Sequence, residues 1–274
     1  MPVISKISVQ KNNKERYNIF FSSGEAEEYA FSVSEDVLIE YDLRKGKELR
    51  NEDIERITNR ETIQKAYNLS LQFLSYRMRS EKEVQTYLEE RNFSKETIQE
   101  VQYRLRERRY VDDAEFTKAF IKTQINTTDK GPKLIQNELK KKGIANHYIE
   151  QFMSLYTEDI QQEKAINLCK KMTGKKKNIS TVQLKRDMQM SLMRKGYEHS
   201  TIQKAISISM QGIDEEQNEA AIIVQGEKAL RKYRNEPLDK RKIKVKQFLY
   251  RKGFSLDVID KFIDEKIAEC ETEE

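Results

Sequence analysis

One frame of seven residues recurs four times along this chain, and few folds can satisfy it. With Leu139 as origin, Ile135 stands four residues before it, and Lys142, Gly143 and Ile144 three to five after. Ile149 follows at ten and Phe152 at thirteen. The same spacing gives Val84, Leu88, Arg91, Asn92, Phe93, Ile98 and Val101, then Met188, Leu192, Lys195, Gly196, Tyr197, Ile202 and Ala205. It returns as Val245, Leu249, Lys252, Gly253, Phe254, Ile259 and Phe262. The origins are 51, 53 and 57 residues apart. A period of this length marks tandem supersecondary units, each too small to bury a core unaided.

The frame has a physical reading. Two apolar residues four apart form the buried stripe of a helix, and a basic residue at its last turn suits the free carbonyls there. Gly, or Asn92 in the first copy, then occupies the position that turns left-handed, and the next apolar residue folds back as in a Schellman cap. A second helix follows at once, with apolar residues three apart. Ser94 and Ser255 are suited to cap it, whereas Ala145 and Glu198 at the same position are not. A further amphipathic stretch precedes each pair, near Ala66 to Met78, Ala114 to Ile125, Glu163 to Met172 and Asn218 to Lys232. Polar links around Gly131, Gly174 and Pro237 separate it from the pair.

Residues 1–59 differ. Val3 to Val9, "YNIFF" and "YAFSV" alternate, with turns at "NNK" and "SSGE", and Ser34 is placed to cap a short helix, "EDVLIEYDL", ended by Gly46. The expected architecture is mainly α, with tandem three-helix repeats in an elongated modular array after a small N-terminal β-containing region. Its divisions fall at 1–59, 60–110, 111–157, 158–211 and 212–274, the last with an acidic tail from Glu269 to Glu274. Composition agrees: 37% hydrophobic against 35% charged, no Trp, nine Gly and three Pro suit thin layers of amphipathic helices.

No catalytic constellation appears: phosphate-loop, dinucleotide and zinc-protease motifs are all missing. His147 and His199 stand where other copies hold other residues and read as surface side chains. Asp112 and Asp113 open a helix, where carboxylates serve as caps rather than metal ligands. Cys169 and Cys270, far apart and outside any CxxC, suggest neither disulfide nor metal. No cofactor, metal or small-molecule substrate is expected. The absence of a signal core or a long apolar run points to a soluble cytoplasmic protein without membrane partners.

Net charge is +5, made of −3 in residues 1–59 and +8 in the remainder. That surplus suits a polyanion partner without requiring one. The basic helix-end residues Arg91, Lys142, Lys195 and Lys252 need only the carbonyls above them, yet three copies carry more: Lys140 and Lys141, Arg194, and Arg251. Lys175, Lys176 and Lys177 form a separate cluster, and "LDKRKIKVK" another. Each alone reads as a solvated face. Their repetition at equivalent positions reads as a contact surface.

"RRYVDDAEFTKAFI" at 108–121, "KGPKLIQNELKKKGI" at 130–144 and the repeated helix trio resemble the RecX family, modulators of the RecA recombinase. "YAFSVSEDVLIEYDLRKGKEL" is similar to the sheet-bearing region of its longer members from low-GC Gram-positive bacteria. The resemblance implies a regulator without catalysis that lies along the groove of the RecA–DNA filament and blocks ATP hydrolysis and strand exchange. It also implies binding to single- and double-stranded DNA. Lys140, Lys141, Lys142, Lys175, Lys176, Lys177, Arg194, Lys195, Arg251 and Lys252 are the candidate contacts with RecA or DNA. The competing readings are a stand-alone DNA-binding architectural protein and a helical scaffold for an unrelated partner.

Overall fold

The computed structural model describes residues 1–11, 13–23, 26–175, 178–211 and 215–271. Packing divides the chain into two units, one of residues 1–117 with 142–145, the other of 118–141 with 146–274.

The first unit opens with three antiparallel strands in sequential order, β1 (Ile4–Val9), β2 (Arg16–Ser23) and β3 (Ala26–Ser34). Alternation sends Ile4, Ile19 and Val33 to one face, where they pack with Val37, Leu43, Leu49 and Ile57. Of the turns expected here, Asn12, Gly24 and Glu25 lie outside the described residues. Helix α1 (Glu35–Glu40) stops sooner than the expected end at Gly46, because Asp42 already takes a left-handed φ of 45°. Ser34 holds the N-cap position without making the cap. Its hydroxyl and N–H both donate to Glu61 Oε2, at 3.0 and 2.7 Å, and Arg16 meets Oε1 of the same carboxylate at 2.7 Å. The carboxylate competes successfully for the hydroxyl because it is buried and charged.

Glu61 belongs to α2 (Asn51–Ser75), a continuous helix that serves two cores. Its early residues Ile54 and Ile57 face the sheet, and its later residues Ala66 and Tyr67 join α3 (Glu81–Glu89) and α4 (Lys95–Glu107) around Val84, Leu88, Val101 and Leu105. Full burial of each such aliphatic side chain stabilises by about 1.5–3 kcal/mol before the entropy of ordering is subtracted. The unit also holds the start of α5 (Asp113–Thr127), with Phe116 buried, and the turn at residues 142–145.

The second unit continues α5 and adds α6 (Pro132–Lys141) and α7 (Asn146–Met153), which bury Ile121, Ile135, Leu139 and Ile149. Next come α8 (Glu158–Lys175), α9 (Thr181–Arg194) and α10 (His199–Ser209), around Leu184, Met188, Leu192 and Ile202. Finally α11 (Glu215–Lys232), α12 (Leu238–Arg251) and α13 (Leu256–Glu271) enclose Val245, Leu249, Phe254 and Ile259. The link expected around Gly174 starts later than the sequence suggests, since α8 carries Gly174 in its last turn. Of the acidic tail, residues 272–274 lie outside the described residues.

The frame is visible as backbone geometry. Its four turn residues, Asn92, Gly143, Gly196 and Gly253, have φ of 60°, 80°, 83° and 86°. Cap bonds close from Phe93, Tyr197 and Phe254 N–H to the carbonyls of Leu88, Leu192 and Leu249, at 3.3, 3.2 and 3.3 Å. Every apolar frame position is buried except Phe93 and Phe152, which are half-buried.

Candidate functional site

The basic residue of the frame ends a helix, and its carbonyl is used by the module before it. In the first unit the Ser80 hydroxyl, N-cap of α3, accepts from Glu83 N–H at 3.2 Å and donates to the Lys142 carbonyl at 2.7 Å. The next N–H, of Glu81, donates to Asp113 Oδ1 at 2.9 Å. In the second unit Ser180, N-cap of α9, repeats both roles: it accepts from Gln183 N–H at 3.1 Å and donates to the Lys252 carbonyl at 2.5 Å. Thr181 N–H donates to Asn218 Oδ1 at 3.3 Å, as Glu81 does to Asp113. Between these two junctions stands a third, made by backbone alone: Gly131 N–H donates to the Lys195 carbonyl at 2.7 Å and Lys133 N–H to the Gly196 carbonyl at 3.1 Å. Each junction joins the N-terminus of one module's second helix to the C-terminus of the following module's second helix, which satisfies donors and acceptors that helix ends leave open.

Side chains reinforce the first junction. Glu83 Oε1 accepts from Arg77 at 2.8 Å and from Lys142 Nζ at 3.0 Å, while Oε2 accepts from Ser80 N–H at 3.1 Å. Partial burial opposes the charge, but these donors outweigh it and hold the Glu83 carboxyl at about 2. Asp113 moves the other way, raised chiefly by burial. Asp112 caps α5 as its sequence position implies, accepting from Ala114 and Glu115 N–H at 2.8 and 3.0 Å. Asp113 instead caps α3, a role beyond its own helix. At the middle junction Tyr156 and Tyr197 bury their hydroxyls together and donate to the Lys130 and Asp129 carbonyls, at 3.1 and 3.3 Å.

The candidate contacts therefore fall into two kinds. Lys142 and Lys195 are half-buried at junctions, Lys142 on Glu83 and Lys195 Nζ at 3.8 Å from Asp129 Oδ2. Lys140, Lys141, Lys175, Arg194, Arg251 and Lys252 are exposed. Lys252 keeps Nζ 5.6 Å from the centre of the Phe248 ring. Lys176 and Lys177 lie outside the described residues. His147 and His199 are exposed.

Reading the frame alone overlooks Ser80, Glu83, Ser180 and Asn218. The pattern Ser80-x-x-Glu83, a capping box, was available as a signal for the first two. It also overlooks a stack on α2 and α3 in which Arg79 lies 4.0 Å from the Phe73 centroid, Phe73 and Tyr87 are parallel at 4.0 Å, and Arg91 sits 3.6 Å from Tyr87. Arg79 and Phe73 are six residues apart on either side of a helix end, so no helical spacing predicts their contact. Among the described residues there is no cluster of three or more metal-capable side chains, and no helix long and apolar enough to cross a membrane.

Residues 2–50 match the regulatory protein RecX N-terminal domain, 66–113 the first RecX three-helix domain and 112–153 the second. The model of the third RecX three-helix domain falls on residues 215–263, the fourth trio of this chain. The regulatory protein RecX of Bacillus pumilus is 44% identical over 96% of this chain and 99% of its own length, and that of Bacillus subtilis 41% identical over 97% and 99%. A crystal structure of regulatory protein RecX superposes with a TM-score of 0.63 at 33% identity, covering 74% of this chain and 98% of the other. RecX from Lactobacillus salivarius gives 0.52 at 31%, covering 55% and 97%. With such identity along nearly its whole length, and four RecX domain models matched along it, the chain belongs to the RecX family of regulatory proteins.

Proposed function

We propose that this protein is a non-enzymatic modulator, mainly an inhibitor, of the RecA recombinase, and that it binds along the groove of the RecA–DNA filament and blocks ATP hydrolysis and strand exchange. One observation carries the reading. Two residues past the frame origin, three modules present an exposed cation, Lys141, Arg194 and Arg251, at the same point of the same helix end. Equivalent charges on joined modules suit a partner that is itself a repeating polymer, because several weak contacts to identical subunits multiply into avidity. Lys140, Lys175 and Lys252 add to this surface, and phosphates of single- or double-stranded DNA within the filament are suitable counterparts for it. Lys142 and Lys195 contribute through the junctions that set the spacing.

The test is charge reversal. K141E, R194E and R251E together should leave helix content and the unfolding midpoint near wild type, and should abolish inhibition of DNA-dependent ATP hydrolysis by RecA at stoichiometric protein. Undiminished inhibition by this variant would remove these side chains from the contact. Inhibition lost together with a steep salt-dependent loss of binding to naked DNA, in the absence of RecA, would favour a stand-alone DNA-binding protein.

A further inference from the structure

A cleft of about 470 Å³ opens among α9, α11 and α12 in the second unit, within the size range of sites for small ligands. Phe248 forms part of its wall. Two ammonium groups approach that ring, Lys232 Nζ at 5.8 Å and Lys252 Nζ at 5.6 Å from its centre, Lys232 also lying 5.4 Å from the Tyr233 ring, and Arg251 also lines the cleft. None of these three cations is paired with a carboxylate among the described residues. Asp187, the one carboxylate in the lining, accepts from Gln183 Nε2 at 2.7 Å. The amide nitrogen of Gln225 is likewise engaged, on the Asn178 carbonyl at 2.7 Å, so the amide oxygens are what Gln183 and Gln225 can offer a ligand.

The arrangement is peculiar to the fourth module. The residue before the frame origin is Glu138 in the second module and Ser191 in the third. In the first it is Tyr87, whose ring is faced by Arg91 and by a second aromatic, Phe73, rather than by a second cation. Two like charges on one ring repel each other, and the ring quadrupole offsets only part of that. A dianion placed between them would satisfy both, with Arg251 able to add paired donors.

We infer that the cleft is a binding site for a phosphate-bearing ligand of nucleotide size, its phosphate held by Lys232, Lys252 and Arg251 and its hydroxyl or amino groups by the amide oxygens of Gln183 and Gln225. No phosphate-loop motif is needed, because the cations come from two helix ends. The site does not depend on the RecA reading, and its test contains no RecA. A free nucleotide and a nucleotide within a strand share this chemistry, so both are probed.

Calorimetric titration of the full chain with pyrophosphate, AMP and a short oligothymidylate should show binding that K232M/K252M weakens about tenfold or more and K232R/K252R retains, with circular dichroism unchanged. Binding of AMP or pyrophosphate lost in the methionine variant identifies a free nucleotide or phosphate as the ligand. Binding of the strand alone, lost in the same variant, identifies a strand. Absence of binding by the wild type, or equal binding by wild type and K232M/K252M, overturns the inference.

Discussion

Glu83 receives hydrogen bonds from Arg77, Lys142 and Ser80, and so ties its own helix N-terminus to the turn that ends α6. Its carboxyl titrates near 2 in the folded chain, below the ordinary value of 4.5, so the folded state holds the charged form more strongly than the unfolded state does. The resulting stabilisation is fully present above pH 4.5 and disappears as pH falls through about 2. Partial exposure to solvent screens the shift, which leaves about 1–2 kcal/mol at neutral pH. Glu83→Gln should therefore lower the stability of the first unit by about that much at pH 7. The gap from wild type should close as pH falls from 4.5 toward 2, read by urea unfolding across that range. A constant gap would show that the charge is not the source. At this scale legibility was uneven. Asn92 could be assigned its left-handed turn from its place in the frame, because backbone conformation is a local property. Asp113 could be recognised as a capping residue but not matched to Glu81, because its partner lies 32 residues away.

Helix ends decide how much of each element the sequence reveals. The four ends marked by a basic residue and a left-handed turn were legible because that geometry repeats. The end of α1 was not, since Asp42 turns left-handed without the glycine that usually signals it. Gly174 misled in the other sense: nothing lies within 4 Å of where its Cβ would stand, so the helix simply tolerates it. Gly226 is the reverse case, where a Cβ would meet the Phe262 ring at 2.1 Å, and only the packing of α11 on α13 explains it. Among the junctions, Gly131 relies on backbone and close approach, its absent Cβ lying 2.6 Å from the Gly196 carbonyl carbon. Ser180 relies on one hydroxyl that serves two helix ends. Ser180→Ala should cost about 1–2 kcal/mol, more than an isolated cap whose hydroxyl has no second partner, because the Lys252 carbonyl is left unsatisfied as well. Chemical denaturation with amide exchange at Gln183 and Phe254 measures it. Exchange that quickens at Gln183 alone would show that the bond to Lys252 contributes nothing.

For the whole molecule, the same logic sets the fourth module apart from the other three. The fourth module's second helix begins after Pro237, which has neither the hydroxyl of Ser80 and Ser180 nor the N–H of Gly131. At the other end, α2 couples the first module to the sheet through Ile54, Ile57 and the buried Glu61 carboxylate. The sequence distinguishes sheet from modules by periodicity, but periodicity does not reveal that one 25-residue helix belongs to both. A consequence follows for a truncated chain beginning at residue 51. Removing the strands exposes Ile54 and Ile57 and leaves Glu61 without Arg16 and Ser34, so the first three turns of α2 lose the contacts that fix them. Amide exchange from residue 51 to about 61 should rise toward the unstructured rate, while Leu88, Leu192 and Leu249, each buried in a module core, keep their protection. If protection at those leucines fell together with the start of α2, the modules would owe their stability to the sheet rather than to their own cores and to one another.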